Sequence, residues 1–139
     1  MLTAEECWVV YADGASRGNP GPASIGAVIF DDKNRECHRI SETIGQATNN
    51  QAEYRAAIAG LEAALALGAR HVELRMDSEL VVRQLDSRYK VRNPGLKRLF
   101  GRVRDLRWRF ASFRAAAIPR GDNALADKLA NQALDRSGA

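Results

Sequence analysis

Four carboxylates, Asp13, Glu53, Asp77 and Asp127, stand far apart along this 139-residue chain, each in a setting that could aim it at a common centre. Asp13 follows Tyr11-Ala12 and precedes Gly14, and Glu53 closes the run Thr48-Asn49-Asn50-Gln51-Ala52-Glu53. Asp77 sits between Met76 and Ser78, and Asp127 ends Asn123-Ala124-Leu125-Ala126-Asp127. Carboxylates held within a few ångströms repel one another unless hard cations compensate. Two Mg²⁺ ions about 4 Å apart can clamp one phosphate, activating a water on one side and stabilising the leaving oxygen on the other. Oxygen donors suit Mg²⁺ or Mn²⁺, and the absence of a His/Cys cluster argues against zinc. The chemistry within reach is phosphodiester hydrolysis. Each acid alone has a plainer reading. An Asp-Gly after a strand is commonly a turn, first-turn acids complement a helix dipole, and Asp77-Ser78 is an ordinary strand-to-helix junction. Asp31-Asp32 is equally acidic but has the composition of a hairpin turn.

Convergence needs elements that bring strand ends and helix starts together. Trp8 to Asp13 and Ser24 to Phe30 read as apolar strands, and Arg35 to Ile44 as a more polar edge strand. Asn50 to Leu67 places Tyr54, Ile58, Leu61 and Leu65 on one helical stripe, with Gly68 to stop it. Val72, Leu74 and Met76 alternate in a fourth strand, and Ser78 caps a helix through Leu85. A linker from Ser87 to Asn93 meets Pro94 at the start of a helix to about Leu106. Trp108 to Ala115 reads as a fifth strand, and Asp122 or Asn123 caps a last helix to about Asp135. This order predicts one α/β domain over residues 1–139: a mixed five-stranded sheet, an antiparallel meander followed by parallel strands, with helices on both faces. Asp13 and Asp77 then fall near the carboxyl ends of neighbouring parallel strands, where open α/β sheets place their sites. Glu53 and Asp127 occupy the first turns of their helices.

Over almost its whole length the chain resembles type 1 ribonuclease H. The residues that carry the likeness are Tyr11-Ala12-Asp13-Gly14 with Gly18-Asn19-Pro20-Gly21, Thr48-Asn49-Asn50 with Glu53, Met76-Asp77-Ser78, and Asn123 with Ala126-Asp127 and Leu129-Ala130. The resemblance implies a ribonuclease H-like fold and two Mg²⁺ ions bound with substrate, Mn²⁺ serving as substitute. Asp13 would bridge both ions, Glu53 and Asp77 would complete one site, and Asp127 would help hold the second. It implies cleavage within the RNA strand of an RNA–DNA hybrid, leaving 5′-phosphate and 3′-hydroxyl ends. It also assigns substrate contacts to Gly14, Asn19, Asn49, Asn50 and Asn123, and a DNA phosphate to Thr48. Turn formation and helix capping are the structural alternative for the asparagines.

Two departures from the family matter. Many relatives carry a histidine in the loop before the last helix, whereas Ala115 to Asp122 contains none. Arg120 is the available substitute, able to contact the scissile phosphate or assist product release, although a permanent cation is a poor proton acceptor. His38 and His71 fall on predicted strands and read as structural. The basic helix and tryptophan-rich loop that some relatives insert is also missing, since Tyr89 to Gly95 leads straight into the next helix. Compact relatives of this kind sometimes accept double-stranded RNA. Two other classes stay open: a catalytically silent hybrid- or duplex-binding module, and another nuclease of the same fold.

Charge bears on the partner. With the four site acids set aside, 13 Asp and Glu face 21 Lys and Arg, and ten of those bases lie between Arg83 and Arg109. Beside an acidic metal pocket, such a stretch suits a polyanion whose affinity falls with salt. Two cysteines, Cys7 and Cys37, make no disulfide framework and suggest a reducing compartment. Met1 to Cys7 lacks a basic leader region, and Ala56 to Ala69 is too short and too interrupted for a membrane span. The expectation is a monomeric cytoplasmic protein with no membrane partner.

Overall fold

A computed structural model describes residues 6–87 and 90–139. Met1 to Glu5, in the segment read as lacking a leader, and Arg88 and Tyr89, in the linker, lie outside the described residues. The strands are β1 (Cys7–Ser16), β2 (Gly21–Phe30), β3 (Glu36–Ala47), β4 (His71–Met76) and β5 (Ser112–Ala117). The helices are α1 (Asn49–Ala66), α2 (Glu79–Leu85), α3 (Pro94–Arg107) and α4 (Ala124–Ser137), the last preceded by a 3₁₀ turn at Arg120–Asn123. One sheet holds all five strands in the order β3-β2-β1-β4-β5. The β1–β2 and β2–β3 pairs are antiparallel, and the β1–β4 and β4–β5 pairs are parallel. This is the mixed sheet that the element order implies.

Alternation sets the two faces of the sheet. Val10 and Ala12 of β1, Ile25, Ala27 and Ile29 of β2, and Val72, Leu74 and Met76 of β4 are buried on one side against Tyr54, Leu61 and the alanines of α1. The buried stripe of α1 is built mostly of small residues, Ala52, Ala56, Ala57, Gly60 and Ala64, while Ile58 and Leu65 are only partly buried. Small side chains let the helix ride close to the strands, and a Cβ on Gly60 would stand 2.6 Å from Val10 Cγ1. On the opposite side α4 is tied to the sheet by hydroxyls: Ser24 Oγ donates to the Ala130 carbonyl at 2.5 Å and Ser41 Oγ to the Leu129 carbonyl at 2.6 Å. Inside the first layer, Tyr54 donates to Gln84 Oε1 at 2.6 Å, joining α1 to α2.

The hairpin expectation at Asp31-Asp32 holds. Asp31 Oδ1 accepts from the amides of Lys33 and Arg35, and Asn34 takes the left-handed conformation (φ 61°) that closes the turn. Several boundaries differ: β2 begins at Gly21 and β3 runs from Glu36 to Ala47, each longer than the sequence pattern gives, and three others follow. β1 runs on to Ser16 because β2 keeps pairing with it through Ser16–Ala23, whereas β4 leaves at Tyr11–Arg75. Asp13 therefore lies two residues beyond the last parallel pair, with only β2 beside it. α1 starts at Asn49 under a Thr48 cap, so Glu53 sits in the second turn rather than the first. Trp108 is not in a strand: it ends α3 in helical geometry, and β5 begins only at Ser112. There the Arg109 and Phe110 amides still bond back to the carbonyls of Leu106 and Arg107.

Candidate active site

The strand geometry and two missing side chains assemble the acids. Gly14 has no room for a Cβ, which would stand 2.2 Å from the Ala52 carbonyl carbon and 2.3 Å from the Glu53 nitrogen. α1 consequently lies directly on β1, and the Gly14 amide donates to Glu53 Oε1 at 2.8 Å. The phase of α1 is fixed upstream by a capping box: the Gln51 amide donates to Thr48 Oγ1 at 3.2 Å, and Gln51 Oε1 accepts from the Thr48 amide at 2.9 Å. On the other face, Gly26 pairs across the strand with Asp13. A Cβ there would stand 2.2 Å from the Ala126 carbonyl oxygen, so α4 presses onto β2 and carries Asp127 to the site.

One carboxylate oxygen from each of Asp13, Glu53 and Asp77 lies within 4.8 Å of the other two. Asp127 stands outside that triad but close enough to Asp13 to raise its pKa. Asp13 and Glu53 are buried, while Asp77 and Asp127 are half-buried. Burial is the first cause that pushes the Asp13 carboxyl up to about 10, followed by Glu53, Asp77 and Asp127 beside it. Burial likewise raises Glu53, against the Gly14 amide and Ser78 hydroxyl, which favour its charged form. Desolvation and mutual repulsion together make the fully ionised cluster costly. A dense, buried set of hard oxygen donors that resists its own ionisation fits divalent cations with oxygen preference, Mg²⁺ or Mn²⁺.

Of the remaining expected site residues, Asn19 and Asn49 are exposed and linked, the Asn49 amide donating to Asn19 Oδ1 at 3.0 Å. Asn50 and Thr48 are half-buried at the same helix start. Two of the expected contact residues are also bonded within the fold. Asn123 is 1% exposed and turns inward, its Nδ2 donating to the Ala12 carbonyl at 3.0 Å and reaching Asp77 Oδ2 at 3.4 Å. Its Nδ2 ties β1 to Asp77, and it does not cap α4 with its side chain. Gly14 is buried, and its amide donates to Glu53. Arg120 opens the 3₁₀ turn, exposed and, among the described residues, without a hydrogen bond or ion pair.

Comparison with known proteins settles the kinship. A family model described as "Reverse transcriptase-like" matches residues 11–133. The crystal structure of RNase H1 from Halobacterium salinarum superposes with a TM-score of 0.91 at 46% identity, covering 94% of this chain and 98% of that one. The chain belongs to the type 1 ribonuclease H family. A further ribonuclease H1, LC11, solved in complex with an RNA/DNA hybrid, gives a TM-score of 0.88 at 43% identity over 95% of this chain and 99% of that one. A bifunctional protein of Mycobacterium tuberculosis is 46% identical over 128 residues, 91% of this chain. The chain spans about a third of that relative's length (35%) and 63% of the length of the Halobacterium ribonuclease HI, with which it shares 48% identity over 125 residues.

Proposed function

We propose that this chain hydrolyses the RNA strand of RNA–DNA hybrids with divalent cations held by Asp13, Glu53, Asp77 and Asp127. The observation that carries this reading is the convergence of three carboxylates within 4.8 Å from three separate elements. The hybrid bound by the similar LC11 enzyme supports the substrate class. Two Mg²⁺ ions bound here would supply an activated water and charge compensation at the leaving oxygen. Asp13 would contribute to both ions, Glu53 and Asp77 to one, and Asp127 to the other. The Gly14 amide and the Ser78 hydroxyl favour the charged form of Glu53 that would ligate a cation, against the burial that raises its pKa, and Asn123 holds Asp77 against β1. Asn19, Asn49 and Asn50 form the polar ledge that receives the hybrid, with Thr48 at a DNA phosphate. Arg120, free of other partners among the described residues, stabilises negative charge at the scissile phosphate or the departing product.

The deciding experiment is cleavage of matched labelled hybrid, duplex RNA, duplex DNA and single strands, with Mg²⁺, Mn²⁺ or chelator. Hybrid cleavage that requires metal, and that falls at least a thousandfold in Asp13→Asn, is expected. Activity that survives chelation would sink the mechanism. Binding of hybrid without any cleavage would make the chain a silent binding module. Cleavage of duplex RNA alongside hybrid would widen the substrate class without changing the mechanism. A monomer in a reducing, cytoplasmic setting completes the reading, consistent with the free thiols of Cys7 and Cys37.

A further inference from the structure

Trp108, the residue that ends α3, is 79% exposed, the most exposed large hydrophobic side chain among the described residues. An indole left in water gives up one of the largest burial gains available to a side chain, so its setting matters. Helical spacing puts Lys97, Gly101, Arg104 and Trp108 on one stripe at i, i+4, i+7 and i+11. Lys97 and Arg104 are exposed. A Cβ on Gly101 would meet only the tip of the Arg104 guanidinium, 3.9 Å away, so no side chain stands across the stripe. Two other arginines of α3 are engaged: Arg102 pairs with Glu62, and Arg107 bonds the Leu85 carbonyl against the Phe113 ring. Those around Trp108 are held less. Arg104 has only Asp105 at 4.0 Å, and Arg109 and Arg70 make no ion pair among the described residues. The Ala111 amide donates to the Arg70 carbonyl at 2.7 Å, which keeps Arg70 at this end of α3.

The other end of α3 touches the site's border. A Cβ on Gly95 would stand 3.1 Å from Gln51 Nε2, in the first turn of the helix that carries Glu53. Fourteen helical residues separate the two ends, about 20 Å. We propose that this stripe binds a single-stranded extension of the hybrid, with phosphates along Lys97, Arg104 and Arg109 and a base stacked on Trp108. The cations match a polyanion, and the bare indole matches a partner that offers a flat π-face at each unit. An acidic peptide would use the charges and leave the indole unmatched. The inference rests on the ribonuclease H reading and adds a second contact about one helix length from the carboxylates.

The test follows indole emission of the full chain, with metal chelated and at low salt, as oligothymidylate is added. Trp8 is the other tryptophan and is half-buried against the core, so Trp108→Leu isolates the signal. Quenching in the native chain and its loss in Trp108→Leu are expected. A hybrid with a single-stranded extension should bind about fivefold tighter or more than a blunt one, and that advantage should vanish in Trp108→Leu. Arg104→Gln should lower the salt slope of oligothymidylate binding by about one. Absence of quenching, equal affinity for the extended and blunt hybrids, or equal quenching by polyglutamate would overturn the proposal. Blunt-hybrid cleavage is read separately and should be unchanged in Trp108→Leu, so failure of the ribonuclease reading would show there in the native chain.

Discussion

Gly26 is the strand partner of Asp13, and the place its side chain would take is already filled by the Ala126 carbonyl oxygen, 2.2 Å from an ideal Cβ. One glycine thus sets how closely the helix carrying Asp127 approaches the strand carrying Asp13. Gly26→Ala must push α4 outward, with an overpacking cost of about 1–3 kcal/mol. Activity should fall at least tenfold, and urea unfolding should show the loss of stability. As a control, Gly121→Ala, with nothing within 4 Å of a Cβ, should leave both unchanged. Equal behaviour of the two variants would show that α4 does not depend on this contact.

The acid cluster should make the metal-free protein less stable as pH rises. The Asp13 carboxyl is raised to about 10 in the fold from an unfolded value near 3.8. A raised folded pKa contributes stability that is complete below the unfolded value and is lost as pH climbs towards the folded one. In chelator, the melting temperature should therefore fall between about pH 5 and pH 9, and the stabilisation by Mg²⁺ should grow over the same range. Asp13→Asn should flatten that slope and raise the chelator melting temperature by about 3–6 °C. A slope unaltered by the substitution would place the pH sensitivity elsewhere.

Asn123 offers a different separation of effects. Its Nδ2 bonds the Ala12 carbonyl and reaches Asp77, and its Oδ1 is buried without a partner. Asn123→Ala leaves the Ala12 carbonyl unpaired, at a cost of about 1–3 kcal/mol, and frees Asp77 to move. Turnover should drop while hybrid affinity, measured with metal chelated, stays within about twofold, a range worth under half a kcal/mol. A selective loss of affinity would return Asn123 to direct substrate contact.

The buried Tyr54–Gln84 hydrogen bond tests the core apart from the chemistry. Tyr54→Phe leaves Gln84 Oε1 unsatisfied at 6% exposure, and should cost about 1–3 kcal/mol in denaturant unfolding. Adding Gln84→Met should recover much of that loss, because both polar partners are then gone. Rates per folded molecule should be unchanged. A double variant no more stable than Tyr54→Phe would refute the pairing as the source.

The carboxylates were legible because each sits in a short run whose local structure already aims it: Asp77 at a strand-to-helix junction, Glu53 behind the Thr48 cap. The glycines that let those elements meet were harder to read. Gly26 looks in sequence like a weak residue inside an apolar strand, and nothing local says that a helix a hundred residues later occupies the missing volume. The inward bond of Asn123 is hidden from sequence for a similar reason, since its partner, the Ala12 carbonyl, lies 111 residues away. Trp108, at the start of the run read as the fifth strand, lies instead at the end of α3. The end of α3 was decided by backbone bonds that continue from Arg109 and Phe110 to the preceding turn.

The capping box at Thr48 and Gln51 works as a rotational lock. An α-helix advances about 100° per residue, so Thr48 fixes not only where the helix starts but which way Glu53 points five residues later. One residue inserted between them would swing the carboxylate more than a quarter turn while leaving every element intact. The spacing of Thr48, Asn49, Asn50 and Glu53 is in this sense an angle written as a distance along the chain.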